Sequence, residues 1–219
     1  MALFIDAQNL DSLTRYDGLL KAIALWLERD DLADEIPYFV QLAEARFRRL
    51  LTNPELETEI TVAAGCPVAL PDDFEALRLL YPAGGRRDRA FLQLSPDAFQ
   101  QGKHQNKSVF TLMAGQLWIS PLPETETAFS LVYRAALPSL SLNRQSNWLL
   151  ASHPDIYLFG SLLQAEFFGW NDSRLPVIKS ALDEALGELN KAGLRKRYAE
   201  SALVAASPVV EAVKGTYRW

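Results

Sequence analysis

Glu44-Ala45-Arg46-Phe47-Arg48-Arg49-Leu50-Leu51-Thr52-Asn53-Pro54-Glu55-Leu56-Glu57-Thr58-Glu59-Ile60-Thr61-Val62 holds the change of period that decides the fold. Up to Leu51 the apolar residues follow a helical spacing. Ile36, Phe39, Val40, Ala43, Phe47, Leu50 and Leu51 form one stripe of a helix expected from about Asp34 to Leu51. Asn53-Pro54 ends it, because proline biases its predecessor away from helical angles. Beyond Pro54 the period becomes two, and Glu57 to Val62 reads as a strand with one wet face.

Upstream, Leu19, Leu20, Ile23, Trp26 and Leu27 share one face of a helix expected over Gly18 to Glu28, with Asp17 as its N-cap. Asp30-Asp31 marks the turn between the two helices, which the short connection makes antiparallel. Downstream, strands are expected at Val68 to Leu70, Glu75 to Tyr81, Ser108 to Met113, Gln116 to Ser120 and Thr127 to Arg134. Ser95-Pro96 fits an N-cap followed by proline at the first helical position, giving one short helical turn over Pro96 to Gln101.

Two more helices follow. Pro154 to Gly169 carries Ile156, Leu158, Phe159, Leu162, Leu163, Ala165, Phe167 and Phe168, apolar almost all round, and is expected at the centre of a bundle. The last helix starts near Ser173, with Pro176 in its first turn and a seam of Leu175, Ile178, Leu182, Ala185 and Leu189. Acids lead and bases trail along it, as the helix dipole favours.

The fold class expected is α+β: a four-helix bundle-like helical domain (residues 10–52 and 146–200) with an inserted small antiparallel β domain (53–145) and an extended C-terminal docking tail (201–219). In that tail Leu203, Val204, Val209, Val210 and Val213 are apolar, while Pro208 and Gly215 prevent one long helix.

Composition narrows the function classes. The chain has 219 residues, 49% hydrophobic, enough for one or two domains with a real core. A formal net charge of −5 gives no global basic field for nucleic acid. The single cysteine, Cys66, excludes an intrachain disulfide and a cysteine-rich zinc site. Met1-Ala2-Leu3-Phe4-Ile5-Asp6 lacks a basic run, so no secretory leader is expected, and no apolar run is long enough to span a bilayer.

Candidate chemistry is sparse. His153-Pro154-Asp155 is similar to the tripeptide of J-domain cochaperones, but Pro138 to Leu150 before it reads as a loop rich in Leu and Ser, not a basic helix. Proline in a first helical turn and an acid favourable to the dipole explain it more simply. Asp72-Asp73 follows Pro71 as a turn would, and His104 lies in a polar loop with no partner at ligand spacing. Gly84-Gly85 lacks the Lys-Ser/Thr of a phosphate loop and reads as an exposed hairpin tip. Catalytic, metal and cofactor residues are expected to be none. The basic end of the last helix, Lys191 to Arg197, and the aromatic, basic tail are the features that ask for a partner. The expected partner-binding residues are Arg195, Lys196, Arg197, Tyr198, Val209, Val210, Tyr217, Arg218 and Trp219.

Four segments in a fixed order carry a resemblance: Tyr38-Phe39-Val40-Gln41-Leu42-Ala43-Glu44-Ala45-Arg46, Val68-Ala69-Leu70-Pro71-Asp72-Asp73-Phe74, Asn147-Trp148-Leu149-Leu150 and His153-Pro154-Asp155-Ile156-Tyr157-Leu158-Phe159. Together they resemble the tail adaptor proteins of tailed bacteriophages, also called head-to-tail connector or head-completion proteins, best known from short-tailed phages. The resemblance runs from about Asp17 to Tyr198. It implies a structural virion protein, made in the host cytoplasm, that forms a homo-oligomeric ring, commonly dodecameric, beneath the portal. Such a ring extends the DNA channel without sequence-specific DNA binding and joins capsid to downstream nozzle, tube or fibre proteins. It implies no enzyme activity, no cofactor and no membrane. Two competing readings are a nucleic-acid-binding regulator using Lys191 to Arg197 with the Arg86–Arg89 tip, and a hydrolase on the β module using its carboxylates or Cys66.

Overall fold

The computed structural model describes residues 13–29, 31–85, 87–102, 107–121, 128–169 and 173–200. The fold is α+β, with 48% of residues helical and 23% in strands. The helices that lie wholly among the described residues are α1 (Tyr16–Leu27), α2 (Ile36–Leu50), α3 (Pro96–Gln100), α4 (Trp148–Ser152), α5 (Pro154–Gly169) and α6 (Leu175–Glu200). Its strands are β1 (Glu57–Ala63), β2 (Val68–Ala69), β3 (Phe74–Pro82), β4 (Leu92–Gln93), β5 (Val109–Met113), β6 (Gln116–Ser120) and β7 (Ala128–Ala135).

Two hydrophobic clusters organise the chain. The first joins Leu19 and Ile23 of α1, Phe39, Ala43 and Phe47 of α2, Tyr157, Leu162 and Leu163 of α5, and Leu182 and Leu186 of α6. Helix α5 is its hub, because α1, α2 and α6 all pack on it. Phe47 meets Tyr157 edge to face at 5.3 Å, and Gly160 gives that contact its room: a Cβ there would lie 2.4 Å from Phe47 Cζ. Leu56, Leu137 and Leu140 belong to this helical cluster, so the chain enters it again directly after β7.

The second cluster lies between two sheets. One has the order β1-β7-β3, wholly antiparallel, with β7 in the middle. The other has the order β2-β6-β5-β4. Leu80, Phe129, Leu131 and Tyr133 of the first meet Phe110, Leu117 and Ile119 of the second, with Phe91 closing on Phe129 at 5.5 Å. The β5–β6 hairpin turns through Ala114 and Gly115, both at positive φ (52° and 72°), the conformation a two-residue turn needs to match strand twist.

Several local expectations hold. Ser95 Oγ accepts from Ala98 N at 3.3 Å and opens α3, and Pro176 lies in the first turn of α6. Other expectations change. Asp17 is not the N-cap of α1. Arg15 stands there without a side-chain cap, and Gln145 supplies the acceptors instead, taking Tyr16 N on its carbonyl at 2.6 Å and Asp17 N on Oε1 at 3.2 Å. Pro138 to Leu150 is not all loop, because Asn147 Oδ1 accepts from Leu150 N at 2.9 Å and starts α4. The second sheet is not purely antiparallel, because β4 pairs parallel to β5. A parallel pair needs a crossover, and the segment containing α3 lies between those two strands. Phe167 and Phe168, expected inside, are 54% and 57% exposed at the end of α5.

Candidate interaction surface at the end of the last helix

Helix α6 runs from the helical core to the entrance of the β module. Asn190 fixes its middle against the end of α2, donating from Nδ2 to Leu50 O at 3.0 Å and accepting from Thr52 N at 3.0 Å. Gly193 permits the next contact, since a Cβ there would lie 2.9 Å from Pro54 Cδ. Pro54 opens a 3-10 turn, Pro54–Leu56, capped by Asn53, whose Oδ1 accepts from Glu55 N at 3.0 Å. The basic end of α6 therefore lies on this turn and on β1. Lys196 Nζ pairs with Glu55 Oε1, and Arg197 pairs with Glu57 Oε1 at 2.6 Å.

Sequence reasoning grouped Arg195, Lys196 and Arg197 as one basic patch for a partner. Within the described residues, Lys196 and Arg197 have acidic groups of their own chain, and Arg195 is exposed. The side chain of Tyr198 and all of Val209, Val210, Tyr217, Arg218 and Trp219 lie outside the described residues, as do His104 and Arg86 of the sequence candidates.

Beside this contact runs an open groove of about 530 Å³. One wall is α6, with Ala185, Glu188, Leu189, Ala192, Gly193 and Lys196. The other carries Trp148, Ser152, His153 and Asp155, with Asn53 and Glu55 at one end. His153 follows α4 as its C-cap and Pro154 begins α5, so the His-Pro-Asp tripeptide is the joint between two helices. Trp148 Nε1 is buried and has no hydrogen-bond partner among the described residues.

The helical core also holds a buried polar network. Glu44, only 3% exposed, accepts from Leu140 N at 2.8 Å and from Tyr157 OH at 3.1 Å. Asn147 Nδ2 donates to Tyr157 OH at 2.7 Å and to Pro138 O at 2.8 Å. Burial raises the Glu44 carboxyl above its ordinary range, against the lowering effect of its hydrogen bonds and of nearby Arg48. Burial first and the Glu44 charge second push the Tyr157 phenol up. The network ties the Pro138–Asn147 segment to α2 and α5. Sequence reasoning missed it because its members are up to 113 positions apart.

The remaining candidates are structural. Asp72 and Asp73 form the expected turn, closed by Phe74 N to Pro71 O at 3.0 Å, and Asp73 Oδ1 accepts from Tyr133 OH at 2.8 Å. Burial and that contact push the Tyr133 phenol up to about 12. Cys66 is an exposed free thiol. Among the described residues no group of three or more His, Cys, Asp or Glu side chains could hold a metal ion, and no helix is long and apolar enough to cross a membrane.

What the geometry offers is surfaces and joints, and comparison with known proteins agrees. No curated protein matches the chain. Residues 14–208 match the family described as SU10 adaptor protein, a span that takes in every described helix and strand from α1 to α6. The chain belongs to the SU10 adaptor protein family, whose members are structural adaptors of phage virions.

Proposed function

We propose that this protein assembles into a ring, dodecameric as in the adaptors it resembles, that docks beneath the portal of a short-tailed phage. There it extends the DNA channel and joins the capsid to the tail proteins below. The observation that carries the reading is the family match over residues 14–208, which spans both the helical core and the β module. The charge is consistent with it. Each copy contributes −5, and a ring multiplies that charge, which disfavours adhesion of passing DNA. On this reading residues 201–219 dock on a neighbouring subunit or on the portal, with Arg195 beside them. A nucleic-acid regulator has less support, since Lys196 and Arg197 already pair with Glu55 and Glu57.

Electron microscopy of the purified full chain, alone and with its portal, tests the reading. A closed ring seated on the portal is the expected image. A monomer that ignores the portal and binds DNA with a steep salt dependence would favour the regulator instead. Deleting residues after Glu200 should leave the fold intact and abolish ring or portal binding.

A further inference from the structure

The groove beside α6 combines residues that the fold uses, such as Leu189, Asn53 and Gly193, with polar side chains turned away from the core cluster. Asn147, Leu149, Leu150, Ile156 and Tyr157 serve the helical core. His153 and Asp155, from the same stretch of sequence, line the groove instead, together with Trp148, which also packs against the core. Of its three carboxylates, Glu55 is neutralised by Lys196, while neither Asp155 nor Glu188 makes an ion pair among the described residues. The groove is therefore acidic, and Trp148 adds an aromatic side chain to its wall.

We propose that the groove receives the segment Val213-Lys214-Gly215-Thr216-Tyr217-Arg218-Trp219 of a second copy of this chain. Lys214 and Arg218 of the incoming segment meet Asp155 and Glu188, and its aromatic side chains lie against Trp148. The chain thus carries an acidic, aromatic groove and a basic, aromatic segment: complementary surfaces, not one self-complementary patch. A contact of that type is heterologous and builds a ring when its rotation closes. A run of residues as long as 201–219 can span at most about 63 Å, which is the reach available beyond the described end of α6. The inference rests on the proposed self-assembly and names the surface that mediates it.

Charge exchange on the full-length chain tests it. One variant reverses the groove (Asp155→Lys with Glu188→Lys), a second reverses the segment (Lys214→Glu with Arg218→Glu), and a third combines all four. Assembly is read by mass photometry across a dilution series, and folding by circular dichroism. Each single-sided variant should need about tenfold or more protein to assemble, the scale of losing close charge pairs at an interface. An equimolar mixture of the two should restore assembly, because each then finds its complement in the other, and the combined variant should also assemble. Single-sided variants that assemble as the parent does would overturn the inference alone. A combined variant that recovers while the mixture does not would show the segment seated in its own groove, which also overturns it. A parent that stays monomeric at every concentration, with and without its portal, overturns the ring reading and the inference together. If lysine reversal unfolds the chain, Asp155→Asn with Glu188→Gln, mixed with the segment variant, reads the same contact: the neutral groove should assemble less well than the parent, and equal assembly would reject the pairing.

Discussion

The helical core and the β module are held together in different ways. In the β module backbone ladders do the joining: β7 pairs with β1 and β3 from far along the chain, while the Ala114-Gly115 turn aligns β5 with β6 locally. In the helical core the decisive polar contacts are distant. Gln145 caps α1, Asn190 closes the end of α2, and Glu44 and Tyr157 hold the segment returning from β7. All the strands lie between α2 and α4 in chain order, so the core must recognise the returning chain after a long excursion. Side-chain acceptors aimed at specific backbone amides do that.

The largest expected effect lies at the hub of the helical core. Leu163→Ala removes a side chain packed between helices and should cost about 2–5 kcal/mol in urea unfolding. Leu131→Ala in the sandwich should cost a similar amount. If the two clusters are energetically separate, the double variant should equal the sum within about 0.5 kcal/mol. A larger coupling would break the comparison and make the chain one cooperative core. Gly160→Ala forces a methyl against the Phe47 ring and should destabilise by about 1–3 kcal/mol, whereas Gly187, with nothing near its would-be Cβ, should accept alanine without loss. A tolerated Gly160→Ala would mean that α2 and α5 are less tightly held than their geometry says.

Asn147→Ala removes the α4 cap together with one bond to Pro138 O of the returning segment and one to Tyr157 OH of α5. It should cost about 1–2 kcal/mol and increase hydrogen exchange at Leu150 more than at any β7 amide. The smallest effect is a pH dependence. Burial lifts the Glu44 carboxyl above its ordinary value of 4.5, so the native state holds that proton longer than the unfolded chain does. The stability it contributes is fully present below 4.5 and is lost as pH rises through the native value. Glu44→Gln keeps an acceptor for Leu140 N and Tyr157 OH and removes this slope. The variant should therefore gain on the parent between pH 4.5 and 7 in urea midpoints measured side by side. Glu59, lowered chiefly by the Tyr81 hydroxyl, contributes the opposite slope to both proteins and cancels in the difference. A constant difference across that range would remove Glu44 as a titrating element of the core.

Much of this architecture was legible because it is written at short range. The stripes of α1, α2, α5 and α6 repeat every three or four residues, the alternation of β1 repeats every two, and Asn53-Pro54 stops α2 where the chain indeed leaves it. The interaction surface was legible only in part. Lys191 to Arg197 announced a basic helix end, but not that Glu55 and Glu57 meet two of its members. His153-Pro154-Asp155 read as a helix start, and the groove it lines was invisible because the opposite wall is α6.

The sequence by itself thus determined the class of the fold, the order of its elements and the absence of a sulfur-based scaffold, each a property of local spacing or composition. The tertiary structure alone decided that β4 runs parallel to β5, that Gln145 rather than Asp17 serves α1, and that Phe167 and Phe168 end exposed while Glu44 ends buried. Those outcomes depend on which faces meet once the chain has folded, for Gln145 and Asp17 across more than a hundred residues. Periodicity says which face of an element is apolar, but only packing says what lies opposite it and where that face runs out.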